Sequence, residues 1–237
     1  MDRLTGVEER LDGPLDDQRA LVGNLRDLAR INHRLGGVRL SVAAIEVLAP
    51  GLAGLSVLDV GTGGADIPLA LIERGRRVGR LVTVTGIDSR PEVLAAAAVA
   101  DPRITATREL ALHVADGRAL PYADGAFDVV HASMVVHHLD PGAARDFLAE
   151  MGRVAQRGVV VNDLVRGRWW WVGAWLVSHL LTRNRFTRYD APLSVRRAYT
   201  VAELTALLAT AGLRVERRLD GPFGHRVALV ARRNEHP

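Results

Sequence analysis

The sequence predicts an α/β protein with a doubly wound, mostly parallel sheet, because short strands and helices alternate along the chain. Three segments carry this prediction. An apolar run breaks into glycines over residues 57–66, a second ends in an aspartate over 81–88, and a third ends in an aspartate before a Pro- and Gly-rich loop within 110–128. Short apolar runs of this kind are typical of strands that helices cover on both faces.

Hydrophobic periodicity predicts the elements in order. Near the N-terminus Leu21, Leu25, Leu28 and Ile31 recur at helical spacing, and a glycine pair separates this helix from the next. The predicted helices are 15–35, 38–49, 65–75, 91–100, 142–155 and 200–211. The predicted strands are 55–60, 81–87, 110–115, 127–133 and 158–163.

Composition is that of one ordinary globular α/β domain. The chain has 237 residues, of which 48% are hydrophobic and 24% charged, enough for one sizeable core. It has no cysteine, which excludes a disulfide framework, a thiolate zinc site and a cysteine nucleophile. The N-terminus has no apolar signal core, so we expect a cytoplasmic protein.

The basic residues do not predict a nucleic-acid partner. All 31 are arginine, but the net charge is only +4, and no basic motif interleaved with aromatic residues is present. The C-terminal third is nevertheless locally basic. Between Arg166 and Arg233 the sequence has 13 arginines and four acidic residues.

Residues 57–66 join a buried strand to a turn that favours close approach of a ligand. Gly61, Gly63 and Gly64 carry no Cβ atom, and the helix that follows offers free N–H groups. Asp66 stands where a dinucleotide-binding turn has its third glycine. The turn therefore predicts a nucleotide-type ligand but disfavours a nicotinamide dehydrogenase.

Two acidic residues stand at the ends of the next strands. Asp88 closes the second strand, where doubly wound folds hold ribose hydroxyls, and it also suits a helix cap. Asp116 closes the third strand before the segment that ends at Asp128. With the three motifs in this order, residues 45–165 resemble the class I S-adenosylmethionine (SAM)-dependent methyltransferases, especially their small-molecule branch.

This resemblance implies a Rossmann-like sheet of seven strands with the last strand reversed, here a hairpin of 213–220 with 225–232. It also implies SAM as cofactor and S-adenosylhomocysteine as product. In the family the glycine turn holds the methionine part of SAM, the second acid binds the ribose, and the third contacts the adenine. Arg34, from the N-terminal helix, is our candidate for the SAM carboxylate. The expected cofactor-binding residues are Asp59, Gly61, Thr62, Gly63, Asp88, Ser89, Asp116, Gly117, Ser133 and Arg34.

The predicted organisation is an N-terminal helical arm or cap over 1–50 and a SAM-binding domain over 51–237, with a lid-like insertion at 167–199. The insertion begins with three consecutive tryptophans, Trp169 to Trp171, which cannot all lie on one side of a helix. Its apolar part is too short to cross a bilayer. Three roles stay open: a helix packed on the sheet or in a homodimer interface, a lid over an apolar substrate cavity, and a membrane-surface segment.

Two adjacent histidines follow the fourth strand. Phenol methylation needs a base, and His137 matches the base of plant-type phenolic O-methyltransferases, although Leu139 replaces the aromatic residue of that motif. His138 is the second candidate, and a purely structural pair is the alternative. Asn162 and Asp163 would begin an oxygen-ligand site for Mg²⁺, but the loop after strand four adds no carboxylate before Asp140, so no metal is expected.

The leading function is O-methylation of a phenolic or polyketide-type natural product in secondary metabolism. The alternatives are C-methylation of a quinone precursor or phenolic lipid, and a non-catalytic SAM-fold or dinucleotide-binding protein. The partner is a small, largely apolar acceptor. The candidate residues for contacting it are Trp169, Trp170, Asn162 and Tyr189.

Overall fold

A single sheet of seven strands forms the centre of the molecule, in the order β3-β2-β1-β4-β5-β7-β6. The computed structural model describes residues 1–7, 9–10, 13 and 17–234. Only β7 runs antiparallel to its neighbours, which confirms the predicted sheet with its reversed last strand. The strands are β1 (Gly54–Val60), β2 (Leu81–Asp88), β3 (Leu110–Val114), β4 (Phe127–Ser133), β5 (Ala155–Leu164), β6 (Leu213–Asp220) and β7 (Arg226–Arg233).

The helices lie where the periodicity predicts them, and the insertion adds two more. They are α1 (Gln18–Arg34), α2 (Gly37–Leu48), α3 (Asp66–Arg77), α4 (Pro91–Ala100), α5 (Arg103–Ala106), α6 (Pro141–Val154), α7 (Arg168–Leu181), α8 (Arg185–Arg197) and α9 (Val201–Thr210). The predicted first helix began at 15, and residues 15 and 16 lie outside the described part. The sequence analysis missed α5, because four residues are too few to show a period.

Strand β5 begins three residues before its predicted start. Ala155, Gln156 and Arg157 have no apolar alternation, so the sequence pattern appears only from Gly158 onward. The pairing of β4 with β5 is irregular between Phe127 and Val129, next to this stretch. Such a bulge breaks the period of two on which strand prediction depends.

Alternation along the strands gives the sheet two buried faces. Leu58 of β1 packs with Leu148 of α6 and Leu208 of α9 in one core cluster. Val57, one residue earlier, packs with Ile45 of α2 and Ile72 of α3 in the other. The helix α2 is therefore part of the core.

The first helix covers the glycine turn. Leu21 and Leu25 of α1 belong to a third cluster, with Leu69 of α3 and Ala96 of α4. A Cβ atom on Gly64 would lie 3.8 Å from the Leu25 carbonyl oxygen. The turn is thus enclosed between the sheet and α1.

Among the described residues, no helix combines the length and the apolar character needed to span a bilayer. Helix α7 has 14 residues, about 21 Å at the usual rise per residue. A bilayer core is about 30 Å thick.

Candidate functional site

The glycine turn is fixed to the end of the neighbouring strand. The N–H groups of Gly61 and Thr62 both donate to the carbonyl oxygen of Ile87, each at 2.8 Å. Gly61 has φ +74° and Gly63 has φ +49°, the left-handed region that favours glycine. A Cβ atom at Gly61 would overlap the Val135 side chain, whereas one at Gly63 meets nothing within 4 Å. Gly61 is therefore required by packing, and Gly63 borders open space.

The Asp88 carboxylate joins this turn to the end of β2. Its Oδ2 accepts a hydrogen bond from the N–H of Gly63 at 3.2 Å, and its Oδ1 accepts one from the N–H of Arg90 at 3.1 Å. Burial raises the pKa of Asp88, and the two backbone donors oppose that shift. A half-buried carboxylate thus stands beside the open side of Gly63.

Asp59 lies beneath the turn, in a buried chain of polar side chains. It accepts a hydrogen bond from Thr62 Oγ1 at 2.7 Å, and its Oδ1 lies 2.6 Å from His131 Nδ1. The chain continues through His131 Nε2 to Ser41 Oγ at 2.8 Å, and Asn162 Nδ2 donates to the same hydroxyl at 2.7 Å.

This chain has a consistent direction. If Asn162 donates to Ser41 and Ser41 donates to His131 Nε2, the Nδ1–H of His131 points at Asp59 and every step is satisfied. The described contacts of Asp59 and Asn162, predicted to bind cofactor and acceptor, are therefore with protein. Asn162 also donates to the carbonyl oxygen of Gly37. We infer that both residues support the turn from below.

Asp116 stands exposed at the end of β3 and is paired with Arg118. The Arg118 Nη2 lies 2.8 Å from Oδ2, and the Arg118 N–H donates to Oδ1 at 2.9 Å. The hydrogen bonds from Arg118 lower the pKa of Asp116. A Cβ atom on Gly117 would overlap Phe147 and Val60, so that glycine serves packing. A ligand that used Asp116 would share it with Arg118 or displace that side chain.

His137 is held by a carboxylate after β4. Its Nδ1 lies 2.7 Å from Asp163 Oδ1, and its backbone N–H donates to Asp163 Oδ2 at 3.0 Å. Its side chain is 1% exposed, and Nε2 has no hydrogen-bond partner among the described residues. Met134, just before, has φ +60°, a strained conformation for a residue with a side chain. The carboxylate orients the imidazole and leaves Nε2 as its second functional atom.

Glu9 of the N-terminal arm lies over this nitrogen. Its Oε1 is 3.7 Å from His137 Nε2, and its Oε2 is 3.9 Å from His138 Nε2. The three side chains bring one ligand atom each within 4.8 Å of one another, a spacing that a metal ion could bridge. However, Ser194 Oγ donates to Glu9 at 2.8 Å, and Arg197 Nη1 lies 4.0 Å from it. An arginine already balances the carboxylate charge, so we describe the group as an ion-pair network.

The sequence analysis missed the arm that carries Glu9. Arg3 donates to the carbonyl oxygens of Leu139 at 2.8 Å and Arg197 at 2.7 Å, and its guanidinium lies 4.1 Å from the centre of the Tyr199 ring. These contacts hold residues 1–10 across the ends of β4 and β5. The segment has no hydrophobic period, so nothing in the sequence indicated its place.

The remaining predicted residues lie apart from one another. Trp169 is 81% exposed, and Tyr189 is exposed beneath the Arg10 guanidinium. Arg34 is exposed at the end of α1, and Ser89 is exposed after β2. Their predicted ligand contacts stay predictions.

Two predicted residues lie in less open positions. Ser133 Oγ is buried without a hydrogen-bond partner among the described residues. Trp170 packs against Gly224, with its outer ring carbon 3.5 Å from where a Cβ atom would stand. Two small cavities, of about 220 and 240 Å³, lie beside α6 and beside α3, away from the glycine turn. We assign the site from the chemistry of the strand ends, because neither cavity contains these groups.

Residues 57–158 match a family model described as a methyltransferase domain. An uncharacterized methyltransferase of Synechocystis sp. is 30% identical over 119 residues, which are 49% of this chain and 50% of that protein. The chain thus spans about half the length of this curated relative.

Solved structures share the whole fold. A SAM-dependent methyltransferase from Aquifex aeolicus has a TM-score of 0.63 at 19% identity, covering 89% of this chain and 97% of its own. An O-methyltransferase family 2 protein from Planctomyces limnophilus, in complex with apigenin, has a TM-score of 0.64 at 18% identity, covering 93% of this chain and 62% of its own. At these identities the likeness concerns the fold. Together with the family match, it shows that residues 57–158 belong to the methyltransferase domain family, within a sheet that has the class I methyltransferase fold.

Proposed function

We propose that this protein is a SAM-dependent methyltransferase that acts on a small apolar or aromatic acceptor. The observation that carries the proposal is the Asp88 carboxylate beside the open face of Gly63, at the carboxyl edge of a parallel sheet. Ligands of doubly wound folds bind at this edge. The neighbouring Asp116 supplies a second carboxylate at the same edge.

The cofactor end of the site uses residues already in place. Asp88 would accept hydrogen bonds from the ribose hydroxyls, and the absence of a side chain at Gly63 leaves room for the methionine part. Asp116 would accept from the adenine amino group after exchange with Arg118. When bound, SAM supplies a methyl group on a sulfonium, which is already a good electrophile.

The acceptor end uses the Asp163–His137 pair. Asp163 holds the Nδ1–H of His137, which leaves Nε2 to take the proton of an acceptor hydroxyl. The acceptor oxygen then forms its bond to the methyl carbon as the sulfur–carbon bond breaks, and the proton remains on Nε2. Glu9 occupies the space in front of this nitrogen, so the acceptor must displace the arm or enter beside it.

O-methylation of a phenolic or polyketide-type natural product is the leading reaction. The apigenin complex of the Planctomyces limnophilus protein, which shares the fold, supports an aromatic acceptor. C-methylation of a quinone precursor or phenolic lipid is the second candidate, and the exposed apolar surface of α7 favours it. A carbon nucleophile of this kind needs a site open to a lipid-like molecule.

Methyl-transfer assays against phenols, quinols and hydroxylated polyketides test this proposal. We expect labelled methyl transfer from SAM to at least one class, with equal amounts of S-adenosylhomocysteine formed. Mass spectrometry of the product then distinguishes an O-methyl from a C-methyl group. A folded protein that binds SAM but methylates no member of the three classes would contradict the proposed acceptor class.

A further inference from the structure

Helix α7 presents an apolar face that the rest of the described chain leaves uncovered. Trp169 is 81% exposed and Leu180 is 79% exposed, and their spacing places them on one side of the helix with the three exposed residues between them. We call this surface the tryptophan face. It consists of Trp169, Val172, Trp175, Leu176 and Leu180.

The opposite side of α7 is already packed. Ser178 is fully buried there, and Trp170 contacts the turn at Gly224. A helix that is apolar on its packed side and on its exposed side has a second apolar environment to meet. Exposed apolar patches of this kind mark interaction surfaces.

Phe223 extends the tryptophan face on a neighbouring turn. It is 80% exposed and has φ +66°, so a bulky residue is held in a strained conformation with its ring in solvent. The turn lies beside Trp170, through Gly224 and His225. Two separate elements therefore expose aromatic side chains in the same region.

Positive charge stands at both ends of this face. Arg168 begins α7, Arg183 follows its end by two residues, and both are exposed. Neither makes a salt bridge with a residue in the described ranges. Within α7 itself the only ionisable residues are Arg168 and His179, and none is acidic.

We propose that the tryptophan face binds the surface of an anionic lipid bilayer, with α7 lying in the plane of the interface. Tryptophan and phenylalanine suit the boundary between headgroups and acyl chains. Flanking arginines attract anionic headgroups. A helix of about 21 Å is too short to cross, and it has the apolar and cationic parts of an interfacial helix.

A second copy of the chain fits this surface less well. Two α7 helices paired antiparallel about a two-fold axis would bring Arg168 of one copy beside Arg183 of the other. Two such like-charge contacts would oppose the association. Anionic headgroups satisfy both ends of the helix at once.

Docking in this way would direct the candidate site toward the membrane. Helix α7 follows β5, and the Phe223 turn precedes β7, where Leu164 pairs with Arg226. This is the same edge of the sheet that carries the glycine turn and His137. If the proposed function holds, on which this step rests, the acceptor is a molecule dissolved in the bilayer, such as a phenolic lipid or quinone precursor.

Flotation with lipid vesicles tests the docking surface without SAM or acceptor. We expect the full chain to float with vesicles of phosphatidylcholine and phosphatidylglycerol, to float much less with phosphatidylcholine alone, and to be released at high salt. The double variant Arg168→Glu, Arg183→Glu should lose about tenfold or more in vesicle affinity. Trp169→Ser with Leu180→Ser should lose binding to both kinds of vesicle.

Matched controls come from the opposite edge of the sheet. Leu81 is exposed at the start of β2, and Arg77 is exposed at the end of α3. Leu81→Ser and Arg77→Glu should bind as the unaltered chain does, with circular dichroism confirming that every variant is folded.

Two outcomes would overturn the inference. One is a folded chain that does not bind anionic vesicles, or whose binding the control variants reduce as much as the test variants. The other is a dimer in analytical ultracentrifugation that Leu180→Ser dissociates, which would assign the face to a second copy. Neither readout depends on methyl transfer, so failure of the docking inference and failure of the proposed function are distinguishable.

Discussion

Replacing His137 by alanine is expected to lower kcat by roughly 10²–10⁴-fold if this histidine is the general base. The reason is geometric, because Asp163 fixes Nδ1 at 2.7 Å and leaves only Nε2 to accept a proton. The dissociation constant for SAM should change little, since His137 lies at the acceptor end of the site. Steady-state kinetics with the acceptor found by screening, together with SAM titration, give both quantities.

Three further variants make this prediction specific. Asp163→Asn removes the charge that orients the imidazole, so it should also lower kcat while keeping the fold. His113→Ala, on an exposed histidine of β3, is the matched control and should leave kcat unchanged. A large loss of kcat in His138→Ala but not in His137→Ala would transfer the base role to the second histidine. Full activity in both would favour a carbon nucleophile or catalysis by positioning alone.

Replacing Asp88 by alanine is expected to raise the dissociation constant for SAM by about 10- to 150-fold. This corresponds to the roughly 1.5–3 kcal/mol that a hydrogen bond to a charged group contributes. The two acceptor oxygens of Asp88 and the open space beside Gly63 place the lost contacts at the cofactor. Isothermal titration calorimetry measures the constant directly.

The pH dependence of SAM binding gives a second readout. Burial raises the pKa of Asp88, so on acidification its carboxylate gains a proton at a higher pH than an ordinary aspartate would. SAM affinity should fall over that range in the unaltered chain, and this component should be absent in Asp88→Ala. Asp146→Ala, on an exposed carboxylate of α6, is the control. An unchanged dissociation constant in Asp88→Ala would show that the second acid does not hold the cofactor.

The fold could be predicted because its signals are local. Strand and helix periods, the left-handed glycine at Gly61 and the acid at Asp88 each lie within a few consecutive residues. The reversed β7 came from the family resemblance, since no local pattern separates a parallel strand from an antiparallel one.

The support beneath the site could not be predicted, because it depends on long-range register. Asp59 meets His131 only because β1 and β4 pair side by side with these two residues opposite each other. Ser41 reaches the same histidine from α2. A histidine in an apolar strand is by itself no sign of such a chain, although its position two residues before Ser133 placed it near the site.

The acceptor end was predicted only in part. His137 was identified from its motif, but Glu9, which lies over it, belongs to a segment without periodicity. The three tryptophans were recognised as too many for one helix side. Which of them is exposed, and that Phe223 lies near them, followed only from the packing of α7 against the turn at Gly224.

The central claim is that the strand ends at Gly63 and Asp88 form a SAM site, and calorimetric titration with SAM and with NAD tests it most directly. We predict that the unaltered chain binds one SAM per chain, that this binding weakens in Asp88→Ala, and that NAD gives no measurable heat of binding. A folded chain that binds NAD more tightly than SAM, or that binds no SAM, would contradict the account.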